Sequence, residues 1–189
     1  MPFIEEFLVR WPETQVEASF TDRMVDLLDE GFDLAIRFSG IPPDSRLVSR
    51  VLARDRYLLV ASSDYVLRNG QPNDLSELAK HTCLAFSSRG YRQRWRFSDP
   101  TGNWNTVPIQ CRLRIDSGEA LHNGIMRGLG IALMPYFLVS EEVQSGSFVH
   151  ILPSVMTEEI EIRCIYPSKR LLEPRVRRFI DLLATGLKL

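Results

Sequence analysis

Residues 116–119, Asp-Ser-Gly-Glu, are the stretch of this chain best suited to hold a small polar ligand. They follow residues 112–115, whose polar and apolar side chains alternate as in a half-buried strand. Ser117 is a good helix N-cap, and Glu119 lies in the first turn of the helix that we expect to follow. The unpaired N–H groups of a helix N-terminus carry partial positive charge and attract carboxylates. Ser117, Gly118 and Glu119 are therefore candidate ligand-binding residues, and an ordinary N-cap is the alternative for Ser117.

A helix and a second strand are predicted to follow this stretch directly. Apolar and small residues recur at helical spacing over residues 120–128. Gly128 and Gly130 end the helix, because glycine adopts left-handed dihedral angles without penalty. Residues 131–134 are a short apolar run that is typical of a parallel strand. Pro135 ends this strand and joins the candidate ligand-binding residues.

The same order of elements is predicted a second time, near the start of the chain. Residues 16–20 are predicted to form a strand, Thr21 and Asp22 to cap a helix over residues 24–28, and residues 32–38 to form the next strand. This repetition favours two similar α/β lobes, each with a helix N-terminus at the carboxyl edge of its sheet. Thr21 and Asp22 are therefore candidates too, with a plain helix cap as the alternative for Asp22.

Two further pairs of candidates lie at predicted strand ends, where the ligands of open α/β sheets bind. Arg37 and Phe38 end the strand in the first lobe, and Arg37 has the fork geometry that binds a carboxylate. A surface ion pair is the alternative for Arg37. Phe86 and Ser87 occupy the matching edge in the second lobe, where Phe86 either stacks on an aromatic ligand or belongs to the core.

The composition excludes several classes of function. The 189 residues carry a formal net charge of −1, with a sequence pI of about 6.3, whereas a DNA-binding domain is usually strongly basic. No apolar run is long enough to span a membrane, and the first residues do not resemble a secretory signal, so we expect a cytoplasmic protein. Three scattered cysteines argue against a disulfide scaffold, and no CxxC or HExxH spacing predicts a metal site. A Cys–His nucleophilic pair is conceivable, but no nucleophile-elbow pattern accompanies it, so we expect no enzyme and no cofactor.

The remaining pattern completes an alternating α/β order. Helices are predicted over residues 2–10, 63–68, 74–80 and 136–144 and from residue 174 onward. Strands are predicted over residues 47–61, in two stretches, and over residues 83–86, 148–152 and 159–166. A hairpin is predicted over residues 95–109, with its turn at residues 99–103.

Four long stretches of the sequence share the pattern of one known family. They read FLVRWPETQVEASFTDRMVDLLDEGFDLAIRFS, LVSRVLARDRYLLVASSDYVLRNGQPNDLSELAKHTCL, GEALHNGIMRGLGIALMPYFLV and YPSKRLLEPRVRRFIDLLA. The signatures DLLDEGFDLAIR and MRGLGIALMP occur together at the expected separation. Across essentially its whole length, the chain resembles the effector-binding domain of LysR-type transcriptional regulators.

The resemblance implies an α/β fold of two Rossmann-like lobes joined by two crossover strands, as in type II periplasmic binding proteins. Lobe one would comprise residues 1–70 plus 154–189, and lobe two residues 71–153. The crossovers would lie near residues 59–62 and 149–153. Family members carry an N-terminal winged helix-turn-helix that binds DNA. Because a helix starts almost at residue 1, we expect that domain, and the first strand of lobe one, to lie outside this sequence.

The resemblance also implies the function. We expect the effector-sensing and oligomerisation domain of a bacterial regulator, with a small molecule, for example a carboxylate, bound between the lobes. The protein would form a homodimer or tetramer and would contact DNA only through the N-terminal domain. Family dimers place residues 22–30 of one chain against residues 119–127 of the other. Two alternatives stay open: a solute-binding protein of a transporter, and a dimerisation module without an effector.

Overall fold

The computed structural model describes residues 2–23, 25–38, 46–88, 91–92, 94–98, 101–168 and 172–187. The helices are α1 (Pro2–Arg10), α2 (Ser63–Asn69), α3 (Gly118–Met126), α4 (Ser140–Ser145) and α5 (Pro174–Gly186). The strands are β1 (Ala35–Phe38), β2 (Leu47–Ser62), β3 (Cys83–Ser88), β4 (Tyr91–Arg92), β5 (Arg96–Ser98), β6 (Trp104–Thr106), β7 (Cys111–Ile115), β8 (Ile131–Pro135), β9 (Phe148–His150), β10 (Met156–Thr157) and β11 (Glu159–Pro167). Over the described ranges, every helix is too short or too polar to cross a membrane.

The chain divides into two compact units. The first unit is Met1–Phe20, Met24–Asp55 and Ile160–Leu189, and the second is Thr21–Arg23 and Arg56–Glu159. The predicted lobe limits after residues 70 and 153 therefore fall inside the second unit. The assignment of lobes stays a prediction.

The first unit is built on a helix pair and an antiparallel strand pair. In α1, Phe7 is buried, and its ring lies 4.8 Å from Trp11 and 5.0 Å, edge-on, from Phe179 of α5. β1 pairs antiparallel with β11, with Ala35 opposite Ile165. The predicted helices at both ends of this unit are confirmed: α5 buries its apolar stripe, whereas α1 buries Phe7 and leaves Leu8 38% exposed.

The predicted strand at residues 16–20 and the predicted helix that Thr21 and Asp22 cap are wrong. Residues 16–20 carry no strand pairing, and Phe20 is 76% exposed. Residues 27–30 form turns: the Asp26 side chain accepts hydrogen bonds from the N–H groups of Leu28 and Asp29 at 2.9 and 3.1 Å, and the Asp26 carbonyl oxygen accepts from the Glu30 N–H at 3.0 Å. These contacts cap a single turn, and a helix this short needs packing to persist. The order of strand, helix and strand therefore does not occur a second time near the start of the chain. Of the strand predicted over residues 32–38, only β1 forms.

In the second unit, the predicted succession of strand, helix and strand is confirmed as β7, α3 and β8. Both strands run parallel to β3, which lies between them, with Phe86 opposite Ile115 and Leu84 opposite Ala132. β2 adds to the other side of β8 in antiparallel register. The carboxyl ends of β7, β3 and β8 therefore meet at one edge of this sheet, where α3 begins.

Two apolar clusters cover the opposite faces of this sheet. One contains Trp95, Cys83 and Ile131, and the other contains Leu121 and Ile125 of α3. Two glycines allow neighbouring elements of this unit to pack closely against each other. A Cβ at Gly124 would lie 3.3 Å from the Leu84 side chain, and a Cβ at Gly130 would lie 2.4 Å from the Thr82 carbonyl oxygen.

The other predicted elements of the second unit form with shifted limits. The two stretches predicted over residues 47–61 are one continuous strand, β2. Asp74 caps a 3-10 helix, Leu75–Lys80, and the helix predicted over residues 136–144 is split into a 3-10 helix, Tyr136–Leu138, and α4. The predicted hairpin is confirmed as β5 and β6, whereas part of its turn, residues 99–100, lies outside the described residues.

Candidate functional site

The start of α3 has the geometry that its sequence predicts. Ser117 is the N-cap in an extended conformation, and its Oγ accepts a hydrogen bond from the Ala120 N–H at 3.3 Å. The Ser117 carbonyl oxygen accepts from the Leu121 N–H at 2.9 Å. A side-chain oxygen at this position satisfies one of the unpaired N–H groups of a helix start. The cap is confirmed, and the ligand-binding role of Ser117 stays a prediction.

A carboxylate of the protein itself already lies at this helix start. The Gly118 N–H donates to Oδ2 of Asp22 at 2.8 Å. Asp22 was expected to cap its own helix, but the structure groups Thr21–Arg23 with the second unit instead. Beside it, the Thr21 Oγ1 accepts from the Arg23 N–H at 3.1 Å, a local turn contact. The N-terminus of α3 thus binds a carboxylate in this structure, as the dipole and the unpaired N–H groups favour.

A groove of about 380 Å³ runs along α3 from this point. Its lining residues are Gly118, Glu119, His122, Asn123 and Leu138. His122 is fixed on one side of the groove: its Nε2 lies 3.0 Å from Oε1 of Glu142, and its ring packs 5.2 Å from that of Phe148. The volume lies in the lower part of the range of small-molecule sites.

Three other predicted residues lie on the same sheet edge. Phe86 and Ser87 belong to the last half of β3, and Pro135 ends β8; all three are half-buried. Phe86 packs against the apolar cluster of Leu121 and Ile125. This packing favours the core interpretation of Phe86.

Arg37 and Phe38 end β1, in the first unit. Arg37 is half-buried and lies opposite Arg163 of β11, whereas Phe38 is 45% exposed. Their position at a strand end agrees with the sequence pattern, and their contribution to a site with Ser117 stays a prediction.

The groove residues His122, Asn123 and Leu138 were not predicted. His122 lies four positions after Gly118 and Asn123 four positions after Glu119, so helical periodicity places them beside the predicted candidates. Leu138 belongs to a separate element, and the sequence pattern gave no reason to place it at this groove. The sequence pattern likewise did not indicate the contact of Asp22 with Gly118, because these residues are 96 positions apart.

The histidines and cysteines do not pair as a nucleophilic site requires. Nδ1 of His81 lies 3.1 Å from the Tyr65 hydroxyl oxygen, whereas Sγ of Cys83 faces the His81 carbonyl oxygen at 3.7 Å. Burial raises the pKa of Cys83 to about 12, with a smaller contribution from Cys111, so this thiol keeps its proton at neutral pH. Across the described ranges, no group of three or more His, Cys, Asp or Glu residues is arranged to hold a metal ion.

Comparison with known proteins identifies the fold and its relatives. The family model described as LysR substrate binding domain matches residues 1–188. An uncharacterized HTH-type transcriptional regulator of Haemophilus influenzae is 33% identical over 93% of this chain and 60% of its own length. The regulator CrgA of Neisseria meningitidis serogroup C is 29% identical over 98% of this chain and 62% of its own length. The chain thus spans about three fifths of the length of these relatives.

Comparison with solved structures supports the same relationship. The regulatory domain of CrgA, described as a LysR-type transcriptional regulator, superposes with a TM-score of 0.88 at 28% identity, over 99% of this chain and 91% of that one. The full-length Vibrio cholerae virulence activator AphB gives a TM-score of 0.81 at 25% identity, over 97% of this chain and 62% of that one. These domains have the fold of type II periplasmic binding proteins, which confirms the predicted fold class. Together, the matched sequence and the shared fold establish that this chain belongs to the LysR substrate-binding domain family.

Proposed function

We propose that this domain senses a small carboxylate at the start of α3 and serves as the regulatory part of a transcriptional regulator. One observation carries the choice of ligand class: the Gly118 N–H holds the Asp22 carboxylate at 2.8 Å. A site that binds a carboxylate of the protein has the donors that a free carboxylate needs. The relatives named above are transcriptional regulators, which favours this role over transport or catalysis. DNA contact would belong to a domain outside this sequence.

Exchange of one carboxylate for another is the proposed binding step. The ligand takes the Gly118 N–H, the Ser117 hydroxyl contributes a second polar contact, and Asp22 leaves. One N–H donor forms one good hydrogen bond, so the two carboxylates compete. The ligand changes the balance of conformations only by the difference between its affinities for them.

The strength of the contact between Asp22 and Gly118, with which a ligand would compete, follows from the exposure of this contact to solvent. Asp22 and Gly118 meet at an exposed helix start, where a charge–dipole interaction contributes about 0.3–1 kcal/mol. Removal of the Asp22 carboxylate should therefore strengthen carboxylate binding by a factor of about 2 to 5, since 1.4 kcal/mol corresponds to a tenfold change. Groove contacts at His122 and Asn123 would supply the remaining affinity and the specificity.

Isothermal titration with succinate and with benzoate tests this proposal. We expect saturable binding of at least one probe, weaker binding in Ser117→Ala and stronger binding in Asp22→Ala. Leu67→Ala is the control, because Leu67 is 84% exposed on α2 and is not among the residues that line the groove. Binding that is unchanged in both Ser117→Ala and Asp22→Ala would reject this site. The separate variant Arg37→Ala tests whether the first unit contributes.

Self-association is the second part of the proposal. Exposed apolar side chains lie at and just beyond the end of α3, where Met126 is 45% and Leu129 48% exposed, and Leu138, which lines the groove, is 41% exposed. Protein interfaces cover exposed apolar side chains of this kind. Over the described residues 22–23 and 25–30, the facing segment that the resemblance implied is not helical, so we place the proposed contact on α3 alone.

Sedimentation velocity with one buried-charge variant tests the interface. Met126→Asp should convert an oligomer to monomer, because it would place a charge in an apolar contact. Val9→Asp is the matched control: Val9 is 76% exposed and lies on α1, in the first unit. A wild-type protein that stays monomeric at high concentration, or equal behaviour of both variants, would reject the assignment to α3.

A further inference from the structure

Two of the three cysteines lie directly opposite each other on neighbouring strands. Cys83 begins β3, Cys111 begins β7, and the register of this parallel pair places them as partners. The Cys83 N–H donates to the Gln110 carbonyl oxygen at 3.1 Å, so the two strands are joined at this point. Both are free thiols. We propose that this pair is a modification site, at which a hydroperoxide converts the two thiols into a disulfide between β3 and β7.

The spacing of the strands suits such a bond. Neighbouring strands lie about 4.8 Å apart, and disulfides join Cα atoms that are about 4.4–6.8 Å apart. The register shifts immediately after Cys83, so that Leu84 lies opposite Leu113 rather than Arg112. A bulge of this kind interrupts the regular ladder, and the backbone can therefore adjust there more easily than in mid-strand. The Cys111 Sγ lies 3.3 Å from the Leu113 carbonyl oxygen of its own strand, a contact that it gives up when the disulfide forms.

The two thiols differ in accessibility, which assigns their roles. Cys111 is half-buried, whereas Cys83 is fully buried. Cys111 therefore meets the oxidant first. Its thiolate attacks one peroxide oxygen, the O–O bond breaks, and an alcohol or water leaves as Cys111 becomes a sulfenic acid. Cys83 then attacks that sulfur, the S–O bond breaks, and the proton from Cys83 leaves in the water that forms. Two thiols and one hydroperoxide give one disulfide, one alcohol (or water) and one further water.

The surroundings of Cys83 set the pace of the second step. Its Sγ lies 3.8 Å from the Leu78 carbonyl oxygen and 3.7 Å from that of His81, two acceptors that retain the thiol proton. Only the thiolate attacks efficiently, so the disulfide should form slowly at neutral pH and faster as the pH rises.

Mass mapping of the whole protein tests the proposal. Reduced protein is treated with hydrogen peroxide at pH 7 and pH 8.5, blocked with iodoacetamide and digested with trypsin without reductant. Cleavage after lysine and arginine places Cys83 in residues 81–89, Cys111 in 97–112 and Cys164 in 164–169. We expect a linked pair of the first two peptides, two hydrogen atoms lighter than their sum, that forms faster at pH 8.5 and disappears with dithiothreitol.

Two variants separate the proposed pair from general oxidation. Cys164→Ser, which removes the other buried cysteine, should leave the linked peptide unchanged. Cys111→Ser should abolish it and leave Cys83 reduced, and an unchanged urea midpoint of this variant checks that the fold is kept. Oxidation of wild-type Cys111 to the sulfinic acid while Cys83 stays reduced would overturn the proposal. So would cross-links found only between separate chains.

Discussion

A single methyl group at Gly130 should separate β8 from β3. The Cβ of Gly130→Ala would lie 2.4 Å from the Thr82 carbonyl oxygen, 3.1 Å from its carbonyl carbon and 3.2 Å from its methyl group. Real Cβ atoms do not come closer than 3.0 Å to such atoms, so the backbone must retreat by more than half an ångström. The same carbonyl accepts the Ile131 N–H at 2.9 Å, and that hydrogen bond would lengthen or break.

The expected cost combines two effects. Overpacking of a tight interior costs about 1–3 kcal/mol, and an unsatisfied buried backbone group costs about 1–3 kcal/mol. Loss of glycine freedom in the unfolded chain returns about 0.4–1 kcal/mol. We therefore expect Gly130→Ala to lower the free energy of unfolding by about 3 kcal/mol.

Urea denaturation followed by tryptophan fluorescence measures this loss. Trp95 lies in the apolar cluster that contains Ile131, so it reports on the affected region. Gly118→Ala is the matched control, because its Cβ would meet Asp22 and Leu138 only at 3.8 and 4.0 Å. It should be neutral or stabilising by up to about 1 kcal/mol. Equal midpoints for Gly130→Ala and Gly118→Ala would refute the close approach of β8 to Thr82.

Three more predictions concern the second unit. Burial, with a smaller effect from Arg56, lowers the pKa of His150. The unfolded state therefore binds the proton more tightly, and stability should fall as the pH drops below about 6.5. In His150→Gln, urea midpoints between pH 7.5 and pH 5 should fall less than in the wild type, and an equal fall would contradict this. Leu121→Ala should cost about 3 kcal/mol in the same assay because Leu121 is 1% exposed, whereas Leu67→Ala, at 84% exposure, should change stability by less than about 0.5 kcal/mol. Ser117→Ala should cost about 1 kcal/mol through loss of the cap, and Ser117→Asp should restore most of it; failure of that rescue would argue against the cap.

Local signals in the sequence were sufficient for the central crossover unit. Strand alternation, the Ser117 cap, the apolar face of α3 and the run in β8 all favour one structure, so each element strengthens the next prediction. The sheet edge at which Ser117, Gly118 and Pro135 lie followed from that order.

The same local signals failed near the start of the chain. A Thr-Asp cap before a few apolar residues favours a helix, but a short helix persists only when its apolar face is packed. The Asp26 side chain caps only a single turn there. Which outcome prevails depends on distant contacts, and the sequence pattern does not encode them.

The candidate site was predictable as far as one helix extends. Gly118, Glu119, His122 and Asn123 share a face by periodicity alone. The Asp22 carboxylate and Leu138 reach the site from other parts of the chain, and such long-range contacts have no local signature.

Nuclear magnetic resonance of the Gly118 amide tests the central claim most directly. The uniformly ¹⁵N-labelled domain is titrated with succinate and with benzoate, and Gly146, at the end of α4, serves as an internal reference. We predict that the Gly118 and Ala120 amide signals move saturably with at least one probe, and at lower concentration in Asp22→Ala. Stationary Gly118 and Ala120 signals in both proteins, up to probe concentrations at which Gly146 also begins to move, would contradict a carboxylate site at the start of α3.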